Sequence, residues 1–155
     1  MGVYVAITIE RTMSRVIKGD WISAYLKYTE ETESPISYHT WTAVSIIAGA
    51  LQRKCSMQWG LETIYPNMFI ILVGSAGRTR KSLAINIGQE IFKTLDLPVV
   101  SEAITPEALL VRMQKTEQTY IDFQGLVHIH SSLTCFSKEL VTLVGHGNYK
   151  FLGYL

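Results

Sequence analysis

Cysteine and charge are both scarce in this chain, and no apolar run is long enough to cross a bilayer. Two cysteines, Cys55 and Cys135, occur in 155 residues. That excludes a disulfide-stapled scaffold, and the two lack the paired spacing of a zinc site. Both fall in strand-like stretches and read as reduced core thiols, because an unpaired cysteine usually packs as a small hydrophobe. Charged residues make up 17% and the formal net charge is +1, so no global attraction to nucleic acid or to a membrane surface follows. The apolar stretch 42–51 is interrupted by Ser45 and Gly49 and falls short of the ~20 residues that span a membrane. The N-terminus has no basic leader, and Ala6 stands where a myristoylation motif needs Ser or Thr. These absences predict a soluble, cytoplasmic protein with no membrane partner.

What is present is apolar bulk. A hydrophobic content of 48% excludes a disordered chain. Beside so little charge, it implies an apolar face meant for a partner or for the rest of a longer chain. The length suffices for one domain with a sizeable core. The apolar ending 149–155 carries no stop signal and reads as a truncation.

Helices and strands alternate along the chain. Asp20 caps a helix whose apolar positions are Trp21, Ala24, Tyr25 and Tyr28. Ser34-Pro35 reads as a second start, Ser as cap and Pro at the first helical position, before Val44, Ile47, Ala48 and Leu51 on one face. Residues 55–59 alternate as a strand closed by Gly60, and Pro66-Asn67 turns the chain into a buried strand over 68–73. Leu83, Ile87, Ile91 and Leu95 mark a helix over 82–95, residues 98–100 a short strand, and Thr105-Pro106-Glu107 a third capped helix. The polar stretch 116–125 reads as a loop, 126–130 and 133–136 as strands, and 139–144 as a helix start broken at Gly145. This order predicts an α/β fold with a mostly parallel sheet, preceded by a small helical region. The expected division is 1–60 for that region and 61–155 for the first part of the larger domain.

The chemistry centres on Gly74-Ser75-Ala76-Gly77-Arg78-Thr79-Arg80-Lys81-Ser82. A strand, a glycine-bearing turn, Lys-Ser and then a helix are what is needed to wrap backbone N–H groups around a phosphate chain. The usual phosphate loop reads G-x-x-x-x-G-K-[ST]. Here Gly74 to Lys81 is one residue too long, and Arg80 stands where the second glycine belongs. Lys81 would reach the β- and γ-phosphates of ATP and Ser82 would hold Mg²⁺, while Arg80 adds a fixed charge. An ordinary strand-to-helix turn carrying glycine and two cations is the competing reading.

Hydrolysis also needs an acid at a neighbouring strand end. Glu139 follows the apolar run 133–136 and is the candidate catalytic or metal-linked acid, with Ser137 as a weaker hydrogen-bonding substitute; a glutamate in the first turn of a helix is the bland alternative. His128 and His130 share one face of a strand but have no third ligand at a suggestive spacing, so they read as a solvated face. His39 and His146 have no partner visible in sequence. Trp21, Trp41 and Trp59 read as core or interface anchors, and Arg112 and Lys115 as a solvated face.

Several of these motifs recur in a fixed order: Ser34-Pro35 with Tyr38-His39-Thr40-Trp41, Tyr65-Pro66-Asn67-Met68-Phe69, Gly74 to Arg80-Lys81-Ser82, Ile104-Thr105-Pro106-Glu107-Ala108-Leu109-Leu110, and Ser137-Lys138-Glu139-Leu140. From Trp21 to the end the chain resembles the phage- and prophage-encoded primase–helicase-like proteins, a large family of ATPase domains of unknown function. The resemblance implies a P-loop NTPase domain of RecA-like or AAA+ type, binding ATP and Mg²⁺ at Gly74 to Ser82 with Glu139 as the strand-end acid. It implies cytoplasmic phage DNA replication in a bacterial host, single-stranded DNA as partner, and a homo-oligomer, a hexamer, of the longer protein. An Arg-Lys-Ser loop ending is associated with this family; the extra loop residue and Lys138 beside the glutamate depart from the usual pattern. A piece ending at Leu155 is expected to be catalytically inactive alone. A terminase-like packaging motor is the neighbouring alternative, and a non-hydrolysing nucleic-acid-binding or assembly module with a relic loop is the alternative from another class.

Overall fold

The computed structural model describes residues 19–75, 77–101, 104–121 and 125–139. Residues 140–144 of the expected helix start, Gly145, His146 and the apolar ending lie outside them, as does Ala76. Four helices and six short strands follow in the order α1 (Trp21–Tyr28), α2 (Ile36–Leu51), β1 (Met57–Trp59), β2 (Glu62–Ile64), α3 (Lys81–Lys93), β3 (Val99–Ser101), α4 (Pro106–Lys115), β4 (Glu117–Ile121), β5 (Val127–Ser131) and β6 (Thr134–Phe136). The fold is therefore mixed α and β, as the alternation of patterns predicts.

The caps explain the helix starts. Asp20 accepts the Ser23 backbone N–H at 2.8 Å and its hydroxyl at 2.6 Å, and these bonds hold its carboxyl below the usual carboxylate range. Thr105 caps α4 by accepting from the Ala108 N–H at 3.2 Å. At α2 the expectation is corrected. Pro35 itself is the N-cap, and Ser34 sends its hydroxyl away from the helix, to the Arg80 carbonyl at 2.7 Å.

The core lies where α1, α2 and α3 meet the parallel pair β3–β6. Tyr25, Ala43, Ile46, Phe92 and Phe136 are its buried members, with Trp21, Leu26, Ile85, Ile91 and Val99 packed around them. Two glycines let α3 come close. A Cβ on Gly88 would collide with Thr42 of α2, and one on Gly49 would stand 2.7 Å from both Phe92 Cε2 and Thr134 Oγ1. Thr134 is thus level with Phe92, while Phe136 lies against Phe92 and beside Gly88. β6 therefore runs antiparallel to α3 and heads for the end where Lys81 begins the helix. Pairing of Val99 with Thr134 through Ser101 with Phe136 takes β3 the same way.

The mostly parallel sheet is corrected. Among the described residues there are three two-stranded sheets, of which only β3–β6 is parallel; β1–β2 and β4–β5 are antiparallel. Residues 68–73 form neither a strand nor a buried segment: Met68, Phe69, Ile71 and Val73 are exposed, and no described strand pairs with them. Hydrophobicity alone cannot make a strand without a neighbour to receive its backbone hydrogen bonds. Conversely, 117–121, read as loop, is β4, because β5 satisfies its backbone. Both cysteines are exposed rather than core thiols. Cys135 alternates with Phe136 on β6, so burial of the phenylalanine turns the thiol to the opposite face. Trp21 packs on the core, whereas Trp41 and Trp59 are exposed.

His39, on α2, is buried. The Thr32 hydroxyl donates to the Thr29 carbonyl at 2.8 Å, so it accepts from His39 Nε2–H at 2.6 Å. That fixes the tautomer and leaves Nδ1 as a buried acceptor with no hydrogen-bond partner. Burial lowers the His39 pKa below 6.5. The unfolded chain then takes up the proton first, so this contribution to stability is complete above about pH 6.5 and declines as pH falls below it. The urea midpoint should drop between pH 7 and pH 5, and His39→Gln should flatten part of that drop. An identical pH slope in the variant would mean that His39 does not titrate differently in the two states.

Candidate functional site

The loop between residue 73 and α3 is built by two left-handed residues and one crowded glycine. Gly77 has φ +74° with open space where a Cβ would be. Arg80 has φ 48°, ψ 35°, as the N-cap of α3. This is the position where the usual loop carries its second glycine, and the backbone keeps a glycine-like conformation there although the residue is arginine. A left-handed non-glycine residue costs roughly 1–2 kcal/mol, so something must hold it.

Segment 33–38, at the start of α2, does so. Glu33 Oε2 pairs with Arg80 Nε at 2.5 Å, the Ser34 hydroxyl donates to the Arg80 carbonyl, and the Tyr38 hydroxyl donates to the Val73 carbonyl at 2.6 Å. The two ends of the loop are thus pinned by three side chains from the short segment 33–38. The ion pair is exposed on both sides, and such pairs contribute about 0–1 kcal/mol. Inside the loop, the Thr79 hydroxyl donates to the Ser75 carbonyl at 3.1 Å, and Lys81 folds back so that its Nζ donates to the Gly74 carbonyl at 2.6 Å. A Cβ on Gly74 would collide with Tyr38 Oη and stand 2.8 Å from Thr79 Oγ1. Gly74 is required by space, Gly77 by φ.

The result is an open cleft of about 460 Å³ lined by Glu33, Ser75, Gly77, Thr79, Arg80, Lys81, Ser82, Leu83 and Asn86. The Lys81 and Ser82 N–H groups open α3 without an acceptor within the helix, while the Leu83 N–H already donates to the Arg80 carbonyl at 3.0 Å, and the dipole end is positive. With the Lys81 ammonium and the Ser82 hydroxyl at its wall, the cleft has the donors that a phosphate chain needs. Magnesium needs oxygen ligands instead, commonly one or two protein oxygens together with phosphate oxygens and water. Ser82, at the helix start, offers an oxygen of that kind, and the Ser75 and Thr79 hydroxyls and the Asn86 amide line the same cleft. Among the described residues no group of three His, Cys, Asp or Glu could hold a metal ion by itself.

The sequence-predicted residues are thus partly assembled. Ser75, Gly77, Thr79, Arg80, Lys81 and Ser82 line one cleft. Gly74 shapes it from behind, and Arg78 is exposed outside the lining. Glu139 is exposed and does not line the cleft. β6 ends at Phe136, three residues before it, and the Ser137 hydroxyl is engaged by the Glu139 backbone carbonyl at 2.9 Å. Glu33, Tyr38 and Asn86 are site residues that sequence reasoning missed. The signals present were Ser34-Pro35 as a helix start and Tyr38 within the motif that follows it.

His128 and His130 do not form a metal pair or a solvated face. Both are half-buried against Tyr120, with His128 stacked at 4.9 Å and His130 edge-on at 5.7 Å. Tyr120 meets the Tyr65 hydroxyl at 3.1 Å, and Arg53 lies 4.1 Å over the Tyr65 ring. This ladder joins the β4–β5 hairpin to the end of α2 and is accounted for by packing. Among the described residues no helix is long and apolar enough to cross a membrane. No protein-family model, no curated protein and no solved structure matches this chain.

Gly74→Ala should destabilise the protein by about 1–3 kcal/mol through overpacking, and Tyr38→Phe in the same chain should restore part of that loss by removing the atom in the way. Chemical denaturation of the two single variants and the double variant measures the coupling. Additive losses would show that Tyr38 does not crowd Gly74.

Proposed function

We propose that the cleft at the start of α3 binds the phosphate chain of a nucleotide, ATP with Mg²⁺, and that the chain belongs to a P-loop ATPase. The observation that carries this reading is the fold-back of Lys81. Its ammonium is held inside the loop by the Gly74 carbonyl, 2.6 Å away, beside Ser82 at a helix N-terminus. A phosphate oxygen entering the loop would replace a neutral carbonyl by a charged acceptor, and charge-assisted bonds are roughly twice as strong. The left-handed Arg80, which preserves the backbone form of a glycine, argues against a chance strand-to-helix turn.

A role as an ATP-dependent helicase or primase–helicase in phage DNA replication, acting on single-stranded DNA as a hexamer, rests on the resemblance of the motifs alone. The non-hydrolysing module is favoured by one observation, the absence of Glu139 from the cleft lining. Binding is therefore the claim, and hydrolysis by a neighbouring acid is the further step that Glu139 would have to supply.

Titration calorimetry with ATP·Mg²⁺ tests it. Lys81→Ala should weaken binding about tenfold or more, the scale of one lost charged hydrogen bond, while Arg112→Ala on α4 leaves it unchanged. Equal affinity of the Lys81 variant and the unmodified chain would overturn the phosphate reading.

A further inference from the structure

Resting on that reading, we propose that Glu33 is a built-in counter-anion of the phosphate cleft: a positioning residue that occupies Arg80 until a polyphosphate displaces it. Three facts meet here. Glu33 lines the same cleft as Arg80, Lys81 and Ser82. Its carboxylate takes the Arg80 Nε at 2.5 Å, so the guanidinium next to the lysine is already engaged by an anion. Both side chains are largely exposed, 56% for Arg80 and 70% for Glu33, so water can replace either partner and the pair is easily exchanged.

The exchange has a direction. Arg80 carries a planar fork of donors that suits a carboxylate or a phosphate. A phosphate chain brings more charge than the carboxylate and gains Lys81 and the helix N-terminus as well. Glu33 opposes its entry by repulsion and by competition for Arg80. Once displaced, Glu33 no longer ties segment 33–38 to the loop, while the Ser34 and Tyr38 bonds to the Arg80 and Val73 carbonyls remain. Occupancy of the cleft is thereby reported to the start of α2 through one side chain. Glu33 sets the threshold of phosphate charge at which this happens.

The test is titration of pyrophosphate and of ATP·Mg²⁺ into the unmodified chain, Glu33→Gln and Glu33→Asp at low ionic strength and in 1 M salt. At low salt Glu33→Gln should bind both about threefold to tenfold tighter, the scale of removing one nearby anion in a solvated cleft. Glu33→Asp, which keeps the charge, should stay near the unmodified affinity. In 1 M salt, where screening acts within about 3 Å, the gain should vanish, and without ligand the melting temperatures of the three chains should differ by no more than an exposed ion pair allows. Binding by the unmodified chain that Glu33→Gln leaves unchanged or weakens overturns the counter-anion role and leaves the phosphate reading standing. A gain that persists in high salt overturns it as well. Absence of pyrophosphate and ATP binding in every variant overturns both.

Discussion

The close approach of α3 to α2 is the constraint on which the rest of the structure depends. Gly88 lies against Thr42, and Gly49 leaves room for Phe92 and Thr134. Helices packed this tightly, with a fully buried phenylalanine between them and β6, have little freedom to slide. The start of α3 and the start of α2 are consequently fixed relative to each other. That fixed spacing brings Glu33, Ser34 and Tyr38 onto a loop 35 to 47 residues away in sequence. Among the described residues, the loop's own side-chain bonds are those of Thr79 and Lys81, and the helical pair beneath it supplies the rest of its support.

Charge then decides what the loop can do. Lys81 and Arg80 face the cleft, and each is engaged without a ligand, one by the Gly74 carbonyl and the other by Glu33. Neither partner is as good an acceptor as a phosphate oxygen, and neither is buried deeply enough to be hard to replace. A cleft whose cations are held by a neutral carbonyl and one exchangeable carboxylate leaves the Lys81 charge uncompensated. The strained backbone at Arg80 belongs to the same arrangement, because the geometry that glycine would supply freely is here stabilised by contacts from segment 33–38.

Much of this was legible in the sequence, and the exceptions have physical reasons. The caps at Asp20 and Thr105 and the four-residue spacing of Leu83, Ile87 and Ile91 gave helices where α1, α4 and α3 occur, because helix signals are local. Residues 68–73 misled because an apolar run is only half of a strand; the other half is a neighbour with matching hydrogen bonds, which no window of sequence reveals. β4 was hidden for the opposite reason, since Glu117, Gln118 and Thr119 look like loop but pair with β5. Lys81, Ser82 and the glycines were visible as a motif, and Arg80 as a defect in it. That the defect keeps a left-handed backbone, and that Glu33 answers it, depends on helix packing and could not be read from spacing. Glu139 follows a strand that ends at Phe136, as the apolar run 133–136 predicts, but its distance from the cleft is a matter of packing that spacing does not give.

The central claim is that backbone N–H groups at the start of α3 cradle phosphate. Amide chemical shifts, followed by NMR as pyrophosphate is added, report on those groups directly. The account predicts saturable movement of Gly77, Lys81, Ser82 and Leu83 with a common affinity, and little change at the β4–β5 hairpin. Shifts confined to scattered surface lysines and arginines, with the amides of Lys81 to Leu83 unmoved, would contradict it.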